Sequence, residues 1–69
     1  MKLIDARGKA CPIPVILAKQ AISDGADAFT IQVDNTTAVE NLKRLAGNQG
    51  FTASVREGDG AYSLDFARA

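Results

Sequence analysis

Three stretches of the chain alternate apolar and polar residues with a period of two. Phe29, Ile31 and Val33 alternate with Thr30, Gln32 and Asp34. Phe51, Ala53 and Val55 alternate with Thr52, Ser54 and Arg56, and Tyr62, Leu64 and Phe66 alternate with Ser63 and Asp65. Each pattern predicts a half-buried strand; Lys2 to Asp5 is a fourth, shorter candidate, and Glu57-Gly58-Asp59-Gly60 predicts a hairpin turn. Between these stretches the period lengthens. Ile13, Ile16, Leu17, Ala21 and Ile22 recur at spacings of three and four, predicting a helix from Pro14 to about Ser23 that Asp24-Gly25 stops. Ala38, Leu42, Leu45 and Ala46 form the apolar stripe of a second helix. It is expected to begin near Thr37, where Thr37 and Glu40 have capping-box spacing and Asn35 and Thr36 are alternative N-caps. Lys43 and Arg44 lie towards its C-terminal end, where cations suit the helix dipole, and Gly47 or Gly50 ends it.

The predicted order is βαβαββ, and strands that are apolar on one side only need one covered face. An α+β fold follows, a two-layer sandwich in which a four-stranded mixed sheet carries two helices packed on one face and leaves the other wet. A doubly wound sheet is disfavoured, because its strands would read as continuous apolar runs. If the first three strands run parallel, the loops after the first and second strands and the final hairpin turn share one edge of the sheet. Ligands of open α/β sheets gather at such carboxyl ends.

Sixty-nine residues make a single domain, 1–69, near the lower size for a core without disulfides or metal. Hydrophobic residues are 46% of the chain and aromatics few, so the core must be built mostly from Ile, Leu, Val and Ala. Eight basic and eight acidic residues are interspersed, which argues against direct nucleic-acid binding and against anionic membranes. No run approaches the length of a membrane span, and the N-terminus lacks an apolar signal region. One cysteine allows no internal disulfide, so a reducing cytoplasm is the expected compartment. The chain has no histidine, which removes Cys-His nucleophilic catalysis and the usual zinc sites; neither a metal nor a cofactor is expected.

The single cysteine, Cys11, stands beside both prolines, in ARGKACPIPVILAKQ. A residue before proline is pushed out of the α region, so Cys11 precedes the helix. Either Pro12 is the first helical residue with Cys11 as N-cap, or Pro14 is first with Ile13 as N-cap; the second register also satisfies the restriction on Ile13 and is preferred. A sulfur anion could then face helix N–H groups that no side chain caps. A helix terminus contributes only about 0.3 to 1 kcal/mol to an exposed charge. The result is a usable nucleophile and no strong oxidant. Without C-x-x-C there is no resolving thiol, which leaves chemistry one thiol does alone: accept a group, hold it and pass it on.

Asp5, Arg7, Gly8, Cys11, Pro12 and Pro14 spell D-x-R-G-x-x-C-P-x-P, which resembles the signature of the TusA/SirA sulfur-carrier family; the βαβαββ order matches that family's fold. Val33 to Phe51, VDNTTAVENLKRLAGNQGF, resembles the N-terminal domain of YedF-type selenium-metabolism proteins. The likeness is close from Ile4 to Phe51 and looser in the hairpin. It implies that Cys11 takes sulfur as a persulfide from a cysteine desulfurase and relays it to a downstream acceptor protein, for tRNA thiolation or other sulfur delivery, with selenium as the YedF variant. YedF-type proteins usually continue into a DsrE-like domain, and Lys9 occupies a position that is often apolar in the family.

The ordinary reading of a lone cysteine is a small buried hydrophobe, and a glycine-led loop entering a helix through two prolines is a poor site for that. Pro12 and Pro14 position, Gly8 permits a turn, and Asp5 caps or pairs within its loop. Arg7 and Lys9 read as solvated cations. Asp34, Asn35, Thr36 and Thr37 read as helix capping, with partner docking as a second role for Lys9, Asp34, Asn35 and Thr36. The expectation is a monomeric carrier without acid-base catalysis of its own. Its rivals are a regulatory interaction module with an incidental thiol, and a redox sensor.

Overall fold

The computed structural model describes residues 2–9 and 13–69. The elements are β1 (Lys2–Asp5), α1 (Ile13–Ser23), β2 (Ala28–Val33), α2 (Thr36–Asn48), β3 (Phe51–Gly58) and β4 (Ala61–Arg68). This is the βαβαββ order read from the periodicities. The sheet order is β1-β2-β4-β3, with β1 parallel to β2 and β4 antiparallel to both neighbours. β1, β2 and β3 therefore point one way, and the loops that follow them lie at one end of the sheet, as the pattern implied.

The alternation of apolar residues sorts the two faces. Phe29, Ile31, Val33, Leu64, Phe66 and Phe51 are buried beneath the helices. Phe29 stacks on Phe66 at a centroid distance of 4.7 Å, and Phe51 tilts against both at 6.2 and 6.3 Å. The opposite face is polar and cross-linked. Asp65 accepts from Thr30 Oγ1 at 2.6 Å and from the Arg56 fork at 2.9 and 3.0 Å, tying β2, β4 and β3 together. Among the described residues no buried side-chain nitrogen or oxygen lacks a partner.

α2 contributes Ala38, Leu42, Leu45 and Ala46 to the core as its stripe predicted, and Val39 beside them. Its start differs from the expected capping box at Thr37. Asn35 is the N-cap, its Oδ1 accepting from the Ala38 N–H at 2.7 Å, and Thr36 is the first helical residue. Gly47 lies inside the helix, which runs to Asn48 with Gly50 just beyond at φ 75°. Lys43 and Arg44 consequently sit a turn before the end, and Lys43 pairs with Glu40 at 3.9 Å. The β3–β4 turn is tighter than the four residues read from the sequence: Gly58 still pairs with Ala61, and Asp59 and Gly60, both at positive φ, make a two-residue connection.

α1 departs most from expectation. It begins at Ile13, one residue before the preferred register, with Pro14 at the second helical position, where its missing N–H is still one of the unpaired donors of the first turn. The core takes Pro14, Ala18 and Ala21, with Val15, Leu17 and Ile22 packed at the margin. Ile13 and Ile16, counted among the apolar positions recurring at helical spacing, are 41% and 53% exposed. The segment IPVILAKQAIS is apolar over most of its circumference, so periodicity alone left its phase open. The inward face, made of Pro14, Ala18 and Ala21, is the one that packs against α2 and β2.

Candidate functional site

The loop after β1 is fastened at three points. Asp5 at the end of the strand accepts from the Arg7 backbone N–H at 3.1 Å and from Arg7 Nε and Nη2 at 2.9 and 3.0 Å. The Lys9 N–H donates to the Ala6 carbonyl at 3.3 Å, closing a β-turn whose third residue is Gly8 at φ 75°. That backbone conformation suits glycine and strains any residue with a Cβ. The Gly8 N–H then donates to Asp34 Oδ2 at 2.7 Å, joining this loop to the one after β2.

Asp34 and Asn35 divide the work at the second loop. Asp34 Oδ1 accepts from Asn35 Nδ2 at 3.2 Å, and Asn35 Oδ1 caps α2. Gly8, Asp34, Asn35 and the first turn of α2 thus form a continuous hydrogen-bonded path along one end of the sheet. Of the residues read as capping, Asn35 alone caps α2; Asp34 braces the neighbouring loop and Thr36 is exposed. Glu57 to Gly60 lies at the same end by strand direction, at the hairpin joining β3 and β4 on the far side of the sheet.

The electrostatics of the loop are those of a closed pair. The Arg7 fork and N–H hold the Asp5 carboxyl at about 2, below its ordinary 3.8, and Asp5 in turn raises Arg7. Such a carboxylate stays ionised and is a poor base, which agrees with the reading of Asp5 as a loop pairing group. Arg7, read as a solvated cation, is committed to that pair. Lys9 is exposed, with no ion-pair partner among the described residues. Cys11 and Pro12 lie outside the described residues. Among the described residues no three His, Cys, Asp or Glu side chains are grouped to hold a metal ion, and no helix is long and apolar enough to cross a membrane.

The sequence reading missed the Gly8–Asp34 bond and the exposed Ile13 and Ile16. The first joins residues too far apart for any local signal, and the second was hidden in a helix with little polar contrast.

Known proteins resemble this chain in sequence and in fold. The family model described as "Sulfurtransferase TusA" matches residues 2–65. The chain is 37% identical over 59 residues to a "Putative sulfur carrier protein" of Methanocaldococcus jannaschii, covering 83% of this chain and 79% of that protein. It is 32% identical over 73 aligned positions to the "Putative sulfur carrier protein TsuB" of Escherichia coli (strain K12), covering 100% of this chain and 97% of that one. The crystal structure of a SirA-like protein from Desulfitobacterium hafniense superposes with a TM-score of 0.90 at 37% identity, over 96% of this chain and 95% of that one.

Proposed function

The chain belongs to the TusA sulfur-carrier family, and from that premise we propose that Cys11 is the sulfur-bearing residue. The observation that carries this reading is the use made of the motif leading to it. Asp5, Arg7 and Gly8 are spent on closing and bracing a loop, and none is left as an acid or base. Cys11 follows that braced loop in sequence and precedes α1, two residues from Lys9 and two from Ile13. Pro14, buried at the start of α1, anchors the far side of the segment.

The chemistry is a transfer between thiols. The Cys11 thiolate attacks the terminal sulfur of a persulfide on a donor protein. The donor's S–S bond breaks and the donor leaves as a thiolate, while a new S–S bond forms and Cys11 becomes the persulfide. A second thiolate on an acceptor removes that sulfur by the same step in reverse, so no net oxidant or reductant is needed. The donor is a cysteine desulfurase; the acceptor serves tRNA thiolation or another sulfur or selenium pathway. A thiolate nucleophile needs no general base at the moment of attack, and the chain has no histidine to supply one.

The test is incubation with a purified cysteine desulfurase and cysteine, followed by intact-mass analysis. One added sulfur atom, removed by dithiothreitol and absent from Cys11→Ser, is the expected result. Equal labelling of Cys11→Ser would overturn the assignment.

A further inference from the structure

β3 is an outer strand, and the phase of its ladder shows which backbone groups it leaves free. The Ala69 N–H donates to the Gly50 carbonyl at 2.9 Å, so by antiparallel alternation Thr52, Ser54, Arg56 and Gly58 exchange hydrogen bonds with β4. Phe51, Ala53, Val55 and Glu57 turn their N–H and C=O groups outward, where no described strand pairs with them. Outer strands are ordinarily blunted by shortness, a proline, a bulge or a free charge. β1, at the other edge, has four residues; β3 has eight, contains no proline and pairs with β4 without interruption from Phe51 to Gly58. Arg56 is turned to the open face and held there by Asp65. On the face that carries Phe51, Val55 is 37% exposed and Glu57 has no ion-pair partner among the described residues. At the start of the strand the Arg68 guanidinium lies 4.9 Å from the Phe51 ring centroid. Its Nε donates to Asp27 Oδ1 at 2.9 Å, and a guanidinium has further N–H donors to offer.

We propose that the free edge of β3 pairs antiparallel with β3 of a second copy of this chain, so that two four-stranded sheets become one. A two-fold axis normal to the sheet keeps like faces together, which restricts the registers to those in which outward-facing residues meet. Centred on Ser54, the pairing sets Phe51 against Glu57 and Ala53 against Val55, each twice. Every outward backbone group from Phe51 to Glu57 then finds a partner, about eight bonds in all. No like charges stand opposite one another in this register, since Thr52 meets Arg56 and Ser54 meets its own copy. Glu57 also comes alongside Phe51 of the second copy, whose ring carries the Arg68 guanidinium, so the unpaired carboxylate gains a cation. A register shifted either way leaves part of the edge unpaired and moves Glu57 off Arg68. These complementarities select a second copy over a strand of another protein. The pairing replaces the monomer expected from sequence with a dimer, and it stands apart from the chemistry assigned to Cys11, because the loop after β1 belongs to the opposite edge of the sheet.

The test is sedimentation equilibrium under reducing conditions, where Cys11 cannot link two chains, joined to amide hydrogen exchange. Twice the chain mass at high concentration, falling to the single mass on dilution, is the expected result. The Ala53 and Val55 amides should be protected only in the dimer, and the Ser54 and Arg56 amides in both states. Val55→Pro removes an outward N–H and no bond to β4. It should fold as wild type by far-ultraviolet circular dichroism and raise the dissociation constant roughly tenfold or more, because the loss occurs in both copies. Glu57→Lys sets a cation beside Arg68 and should raise it roughly fivefold, by less as salt is added. A chain that stays monomeric at millimolar concentration overturns the proposal and leaves the edge to a strand of another protein. A dimer whose Ala53 and Val55 amides exchange freely, or which Val55→Pro leaves intact, overturns it as well and moves the contact to another face. If Val55→Pro loses its fold, Glu57→Lys and the amide exchange decide.

Discussion

The Gly8 N–H and the Asp34 carboxylate, 26 positions apart in sequence, are hydrogen-bonded at 2.7 Å. The bond ties the loop after β1 to the loop after β2 at the end of the sheet that leads to Cys11. Asp34→Ala should cost about 1 kcal/mol, the scale of a solvent-accessible bond to a charged acceptor, and Asp34→Asn less, because one oxygen remains. Urea denaturation gives the stability, and hydrogen exchange at the Gly8 amide gives the local effect. Unchanged protection of that amide in Asp34→Ala would show that the loop is held by other means.

Asn35 and Thr37 make opposite predictions at the start of α2. Only Asn35 receives the Ala38 N–H, so Asn35→Ala should destabilise the chain by about 1 kcal/mol while Thr37→Ala stays near wild type. A larger loss for Thr37→Ala would restore the capping-box assignment.

Acid sensitivity follows from two carboxylates. Asp5 is lowered to about 2, chiefly by the Arg7 fork, and Asp65 is lowered by the Arg56 fork first and the Thr30 hydroxyl second. A carboxyl that is more acidic in the folded chain binds fewer protons there than in the unfolded one. Its stabilisation is therefore complete above the ordinary value of 3.8 and is lost as the pH falls towards 2. Denaturation midpoints should drop across that window. Carbon-detected titration of the Asp5 carboxyl should move towards 3.8 in Arg7→Gln, and salt should weaken the effect because the pair is exposed. A flat profile from pH 5 to 2 would contradict the pairing.

The stacked rings of Phe29 and Phe66 set the tolerance of the core. Phe66→Ala should cost about 3 to 5 kcal/mol, comparable to the whole stability of a domain this size, so the variant should be largely unfolded at 25 °C. Phe66→Leu keeps most of the volume and should fold with a lower melting temperature. Circular dichroism melts separate the two cases, and a cooperative melt for Phe66→Ala near the wild-type temperature would disprove the central role given to the pair.

The parts of the fold legible from sequence are those where polarity changed with every residue. In β2 and β4 the alternation named both faces, and in α2 the stripe from Ala38 to Ala46 stood out against Glu40, Lys43 and Arg44. α1 offered no such contrast, and the inward choice of Ala18 and Ala21 over Ile13 and Ile16 depended on which side packs against α2 and β2, a tertiary quantity. At the candidate site the pairing of Asp5 within its loop was legible. The role of Asp34 was not: its local surroundings resemble a helix cap, and its partner Gly8 belongs to another loop.

The strand order carries a consequence for synthesis. β3 pairs with the sheet only through β4, and β4, made after both β2 and β3, fills the gap between them. A ribosome that has released everything up to Gly58 has therefore produced two helices, a parallel strand pair and an orphan strand, with Phe29 and Phe51 still lacking the ring of Phe66 that packs against both. The hydrophobic centre closes only when β4 arrives, so the nascent chain must stay unassociated until then. Closure of the core waits for β4 rather than accumulating strand by strand, and a stop codon before β4 would leave a sticky fragment instead of a smaller domain.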